Sequence, residues 1–449
     1  MGNRIMVSKQ NNGSRVILRT LILILGSFFI LGVSQASPKI QHWLTKNGAR
    51  VYFVPAAEIP MVDVQVVFDA GAARDGEKLG LAVMTNGMLA EGAAELDANQ
   101  ISEGFESAGA RFSNSAHRDM AVIGLRSLTE ADKLQSTLAL LTTVLSKPSF
   151  PEDAFDRERK RLLVGLEQRK QSPRSLGSEA YYNALYQGHP YGNLPVGNKE
   201  TINGLSTQDL KAFYEKYYVG KNAVIAIVGA VDRKAAEGIA EQVVGGLAAG
   251  SAAENLPAVK PLADAQTIKI EFPSTQTHVT VGSPGVKRGD PDYFSMYVGN
   301  HILGGSGLIS RLSEEIREKR GLSYSTYSGL TPMRKSGPYS FGLQTRNESA
   351  AEALKILMQE IKKFVADGPS ADELIAAKKN ITGGFPLRIS SNKKIVGYIA
   401  MIGFYQLPLD YLDTFNANVE KVTLDSIKKA FQQRVNPDKM ITVLVGKVS

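Results

Sequence analysis

The sequence contains no cysteine, which excludes disulfides, thiolate nucleophiles and cysteine-ligated zinc. Histidine is nearly as scarce. The 449 residues hold five, His42, His117, His189, His278 and His301, and no two are spaced to bind a metal from one helical face. A lone histidine lacks the convergent partners of a ligand site, so each reads as structural or surface. Acidic residues are missing from residues 1–36. No basic block interleaved with aromatics occurs anywhere, which argues against nucleic-acid binding. After residue 36 there is no apolar run long enough to span a bilayer.

What is present begins with a charged leader. Arg4, Lys9, Arg15 and Arg19 precede an apolar run from Leu21 to Val33, followed by Ser34-Gln35-Ala36. A basic head, a short apolar stretch and small residues at the −1 and −3 positions of a cut are the pattern of a secretory signal. The expectation is cleavage after Ala36 and a periplasmic protein without stable membrane insertion; an uncleaved N-terminal anchor is the alternative. Removing those four cations takes the net charge from +8 to +4. The hydrophobic share of 43% is enough for a large core.

The chain repeats itself. Leu205–Val231 and Val422–Val448 share one plan: an N-cap hydroxyl (Ser206, Thr423), an amphipathic helix, a polar turn, and a β-branched strand ending at glycine (Gly229, Gly446). Between them Gly245–Gln266 is rich in Gly, Ala and Pro and reads as a linker. In the first half, alternation predicts strands at Gly48–Val54 and Met61–Phe68. Helices are predicted at Lys78–Glu91, Asn99–Ala108, Glu130–Leu145 and Glu152–Lys170. The second half has strands near Ile268–Phe272 and His278–Gly282, with helices at Asp292–Leu303 and Ala350–Asp367. The expectation is α+β: two homologous domains in tandem, 37–244 and 267–449, each a sandwich of helices on sheet, related by a pseudo-two-fold axis.

Ordered motifs accompany this plan. They are Gly71-Ala72-Ala73-Arg74-Asp75 leading into Gly80-Leu81-Ala82; Phe155-Asp156-Arg157-Glu158-Arg159; Gly188-His189-Pro190-Tyr191-Gly192; Leu303-Gly304-Gly305; and Ser310-Arg311-Leu312 through Arg317 to Gly321-Leu322-Ser323-Tyr324. As a set they resemble the pitrilysin-like, or insulinase-family, inverzincin zinc peptidases, in the branch that includes mitochondrial processing peptidase. In active members H-x-x-E-H binds zinc through its two histidines, and its glutamate takes a proton from the metal-bound water. The resemblance places Val83 and Gly87 at the histidine positions and Asn86 at that of the base. Gly165, or in a frame one residue earlier Val164, stands where a distal glutamate would complete the ligand set, while Glu158 matches a supporting acid. Val and Gly have no donor atoms and an amide takes up no proton at neutral pH. No catalytic group or metal is therefore expected in this chain.

The second half keeps more. Arg317 and Tyr324 match the arginine–tyrosine pair that the family directs at substrate from the domain facing the zinc. A guanidinium fork suits peptide carbonyls and a phenol can donate to a developing oxyanion. From the residues alone, Arg317 could equally be solvated surface and Tyr324 core. Gly304, Gly305 and Gly307 form a short glycine loop that the resemblance associates with substrate contact, although a helix C-cap reads as well. The resemblance thus implies a non-catalytic, substrate-binding subunit of a periplasmic heterodimeric zinc metallopeptidase. Its partner would carry H-x-x-E-H and the zinc, and peptides or unfolded proteins would be the substrates. The alternative is a scaffold of the same fold without a role in proteolysis.

Overall fold

The computed structural model describes residues 1–2 and 39–447. The apolar run Leu21–Val33 and the cut expected after Ala36 lie outside the described residues. The first half opens with strands β1 (Gln41–Leu44), β2 (Arg50–Pro55) and β3 (Met61–Phe68), then helix α1 (Leu81–Met88). A minor hairpin, β4 (Gly92–Ala93) and β5 (Leu96–Asp97), leads to α2 (Ala98–Ser107), β6 (Arg111–Ala116) and β7 (Ala121–Leu128). Helices α3 (Ala131–Ser146), α4 (Glu152–Lys170), α5 (Pro173–Leu185), α6 (Lys199–Gly204) and α7 (Thr207–Tyr217) precede β8 (Ala223–Gly229) and α8 (Arg233–Val244).

The second half runs β9 (Gln266–Glu271), β10 (Gln276–Pro284) and α9 (Tyr293–Asn300). Two π-helical turns follow, His301–Gly305 and Ser313–Glu318, then β11 (Ser325–Leu330) and β12 (Pro338–Arg346). The chain ends in α10 (Ala350–Asp367), α11 (Ala371–Arg388), α12 (Asn392–Tyr405), α13 (Tyr411–Glu420), α14 (Leu424–Arg434) and β13 (Ile441–Gly446). Among the described residues no helix is long and apolar enough to cross a membrane.

The sheets show the duplication directly. The first is ordered β1-β2-β8-β3-β7-β6 and the second, read the same way, β9-β13-β10-β12-β11. In each, one pair is parallel (β2 with β8, β9 with β13) and the remaining neighbours are antiparallel. Gly229 and Gly446 close the equivalent strands β8 and β13. The helices before them start at Ser206 and Thr423, whose hydroxyls accept the backbone N–H of Asp209 and Ser426 in capping boxes.

Both repeated strands are buried along their whole length, so both read as apolar runs without alternation. What covers their second face is a helix from the opposite half. Helix α12 lies on β8, β3 and β2, and α5 lies on β13 and β10. Both are started by a serine cap, Ser172 for α5 and Ser391 for α12. The swap joins the two halves: one core cluster holds Val224, Ala226 and Val228 of β8 together with Ile399, Ile402 and Phe404 of α12.

The segment read as a linker is strapped down. The Glu254 carbonyl accepts from Arg74, the Ala253 N–H donates to Asn222, and the Pro257 carbonyl is 3.1 Å from His189 Nε2. Leu256 is buried beside Tyr181 and Tyr186. Composition marks the stretch as lacking regular structure but carries no sign of these ties. Gln266, its last residue, already pairs with Ile441 as the first of β9.

Candidate functional site

Helix α1 carries the positions where the family has its metal motif. It begins later than its sequence pattern suggests, because Gly80 adopts φ +93° and Asp75 caps it from outside. One carboxylate oxygen of Asp75 accepts the Gly80 N–H and the other the Ala82 N–H, both at 2.8 Å. This explains the spacing of the Gly71–Asp75 and Gly80–Ala82 motifs. Burial pushes the Asp75 carboxyl up to about 7 from its usual 3.8, against the pull of those two backbone bonds.

A carboxyl raised on folding supports the fold when protonated. That contribution is whole below about pH 4, falls progressively between about pH 4 and 7, and is flat above. A shift of about three units corresponds to about 4 kcal/mol. Unfolding titrations of wild type and Asp75→Asn at pH 4.5 and 7.5 should show stability lost by the wild type and kept by the variant. Parallel pH profiles would refute it.

Val83 and Gly87 share one half-exposed face of α1. Asn86 is buried. Its side-chain nitrogen donates to the Tyr218 hydroxyl at 3.3 Å, and its backbone carbonyl accepts from the Asn114 side chain at 2.6 Å. Gly165 lies on α4, which packs against α1. A Cβ at Gly87 or Gly165 would meet nothing within 4 Å. These positions have room for side chains and lack only the donor atoms. Glu158 is held by Arg161, one turn along. Among the described residues no group of three His, Asp or Glu side chains could hold a metal ion. These residues do not fit zinc in the family's manner.

Beside this helix lies a cleft of 610 Å³, lined in part by Ala90, Ile101, Phe105 and Phe112. Phe105 and Phe112 stack with centroids 5.1 Å apart. Glu91, Glu106 and Arg111 also line it, and no sequence signal marks it.

Arg317 and Tyr324 sit on the other half, and the structure brings them together. Arg317 lies near the end of the second π-helical turn. Gly321, at φ +60°, donates its backbone N–H to the Arg317 carbonyl and reverses the chain. The Arg317 guanidinium then lies 4.8 Å from the centre of the Tyr324 ring. Tyr324 is 84% exposed and the Arg317 side chain 28% exposed. Among the described residues the one ion pair of Arg317 is with its neighbour Glu318, at 3.3 Å.

The glycine loop divides into different roles. Gly304 is buried, and a Cβ there would lie 2.5 Å from the Ser328 nitrogen of β11, so close packing demands glycine. At Gly305 a Cβ would strike Asn300. Gly307 has φ +67° and faces open space. The next two residues were not singled out as a site: Leu308 is 63% exposed and Ile309 74%. An apolar pair directly after a glycine turn was the available signal. Of the histidines, His189 accepts the Tyr191 N–H and lies against Pro257, while His42 bonds the Val51 carbonyl.

Residues 50–198 match the insulinase family, peptidase family M16, and residues 204–381 match the peptidase M16 inactive domain. A Streptomyces coelicolor protein described as an uncharacterized zinc protease is 26% identical over 66% of this chain and 65% of its own. A Helicobacter pylori protein described as the non-peptidase homolog YmxG is 25% identical over 91% of this chain and 93% of its own. The crystal structure of a peptidase M16 inactive domain from Pseudomonas fluorescens superposes with a TM-score of 0.89. It is 41% identical, covering 91% of this chain and 98% of that one. The two domain matches in chain order, the repeated sheet and that identity over nearly the whole length place the chain in the insulinase family of peptidases, as a member without the H-x-x-E-H motif.

Proposed function

We propose that this chain is the non-catalytic, substrate-binding subunit of a heterodimeric zinc metallopeptidase of the periplasm. The partner supplies H-x-x-E-H and the zinc; this chain supplies Arg317 and Tyr324. The observation that carries the reading is a contrast. The metal positions have no ligand atoms, yet an arginine and a tyrosine stand together, the tyrosine exposed and the arginine half-buried, and among the described residues the guanidinium pairs only with the adjacent Glu318. Leu308 and Ile309 add exposed apolar surface of the kind that marks contact with another chain. The likeness to a Helicobacter pylori protein described as a non-peptidase homolog supports the absence of independent activity. The leader before Ser37 supports export, with unfolded proteins or peptides as the substrates.

The test is reconstitution. The purified chain alone should retain no stoichiometric zinc after dialysis and cleave no peptide. Mixed with a separate chain of the same family that bears H-x-x-E-H, it should form a complex and raise peptide hydrolysis strongly. One tightly held zinc per chain, or no complex with any such partner, would sink the proposal.

A further inference from the structure

The outer surface of the second half holds a cavity of 450 Å³ in which three cations meet aromatic walls. Arg288 comes from the loop after β10, Arg388 from the end of α11 and Lys394 from the first turn of α12. Among the described residues none of the three is paired with a carboxylate. Arg388 donates to the Tyr297 hydroxyl, Lys394 to the Leu387 carbonyl and Ser390, and the Arg288 Nε is buried with no hydrogen-bond partner. The neighbouring acids Asp290 and Asp292 are both taken by Arg434. Tyr398, Met401 and Phe415 form the apolar walls.

The duplication supplies an internal control. Aligning the capping serines Ser172 and Ser391 pairs Arg169 with Arg388, Ser175 with Lys394, Ser178 with Gly397, and Glu179 with Tyr398. The first-half cavity at that place is lined by Arg169, Ser178 and Glu179, so it carries its own carboxylate. The second half has replaced that acid with an aromatic ring, added a lysine and removed a side chain. Gly397 lies inside α12, where glycine weakens a helix. A Cβ there would meet nothing within 4 Å, so packing does not require the glycine; its effect is to leave the cavity open.

A pocket of this volume suits a small organic ligand. Like charges set in low-dielectric walls concentrate the opposite charge. We infer that this cavity binds a small organic acid, with its anionic group held by Arg388, Lys394 and Arg288 and a ring-sized apolar body against Tyr398, Met401 and Phe415. The inference involves neither Arg317 nor Tyr324 and stands apart from the peptidase reading.

The test uses 2-naphthoate as probe and neutral 2-naphthamide as its control, titrated calorimetrically into the full mature chain. Naphthoate should bind at one site, with a dissociation constant on the order of 0.1–1 mM for a ligand of this size. Naphthamide should bind at least about tenfold more weakly, as should naphthoate to the Arg388→Gln/Lys394→Gln double variant, since charge-assisted hydrogen bonds are lost. Gly397→Leu leaves all three cations in place and fills the mouth, so it should abolish binding while melting no lower than wild type. Three results overturn the inference: no naphthoate binding up to several millimolar, equal binding of the amide, or full binding by a folded Gly397→Leu variant.

Discussion

Asp119→Ala is expected to destabilise the protein by about 3–5 kcal/mol, the summed cost of leaving its three hydrogen-bond donors without an acceptor. Asp119 is 4% exposed and lies in the tight connection between β6 and β7. One of its oxygens accepts from the Tyr191 hydroxyl. The other accepts from the Tyr405 hydroxyl at 2.9 Å and from the Arg334 backbone N–H at 2.8 Å. Two of these donors belong to the second half, so the carboxylate ties the halves together alongside the exchanged helices. Arg334 itself reaches Asp69, which also holds Arg74. Alanine would strand three donors, Tyr191 fully buried and Tyr405 and Arg334 half-buried, at about 1–3 kcal/mol for each buried group left unpaired. Asp119→Asn keeps an acceptor but turns an amide N–H toward donors, so its cost should be smaller yet clearly measurable. Urea unfolding followed by circular dichroism reads both. A loss under about 1 kcal/mol for the alanine variant would show that water replaces the carboxylate and that the exchanged helices alone hold the halves.

This network gives the Gly188-His189-Pro190-Tyr191-Gly192 motif its physical meaning: Tyr191 reaches Asp119, and His189 fastens the segment before β9. Neither contact is visible from the motif itself, since both partners are distant in sequence. The contrast holds across the molecule. Local signals were legible. The strand Met61–Phe68 and the helix Glu152–Lys170 stand where periodicity puts them, and the caps Ser206 and Thr423 do what their residue types allow. The repeated module was legible for the same reason, because each copy must bury its own strand. Strands β11 and β12 carried too weak an alternation to be singled out; short polar and glycine positions interrupt both. The helix expected at Asp292–Leu303 loosens into a π-turn at His301, where Gly304 must press against β11. An apolar helix face announces that it will be covered but not by which sheet, so the exchange of α5 and α12 could not be read in advance. At the candidate site, the absence of ligand atoms at Val83, Gly87 and Gly165, and of a proton acceptor at Asn86, was a matter of residue identity. The meeting of Arg317 with Tyr324 depends on the reversal at Gly321.

That reversal makes the second large effect specific. In a complex with a catalytic partner, Arg317→Ala and Tyr324→Phe are each expected to lower turnover about 10²–10³-fold, as loss of one donor aimed at a developing oxyanion does. Tyr324→Phe is the cleaner of the two. It removes a hydroxyl that is bonded to nothing among the described residues and leaves the ring under the Arg317 guanidinium, so folding stability should be unchanged. Arg317→Ala also removes the stem that lies against the ring, and its unfolding midpoint must be compared with wild type. Arg317→Lys separates charge from geometry. A lysine keeps the positive charge but not the planar fork, so it should recover little activity if the guanidinium binds peptide carbonyls in a bidentate manner. On the proposed roles, the losses should appear in kcat and kcat/KM together for both variants, with KM raised as well for Arg317→Ala if its guanidinium also holds the ground-state peptide. Full activity of both variants in an assembled complex would assign the pair to structure and favour a scaffold of the same fold.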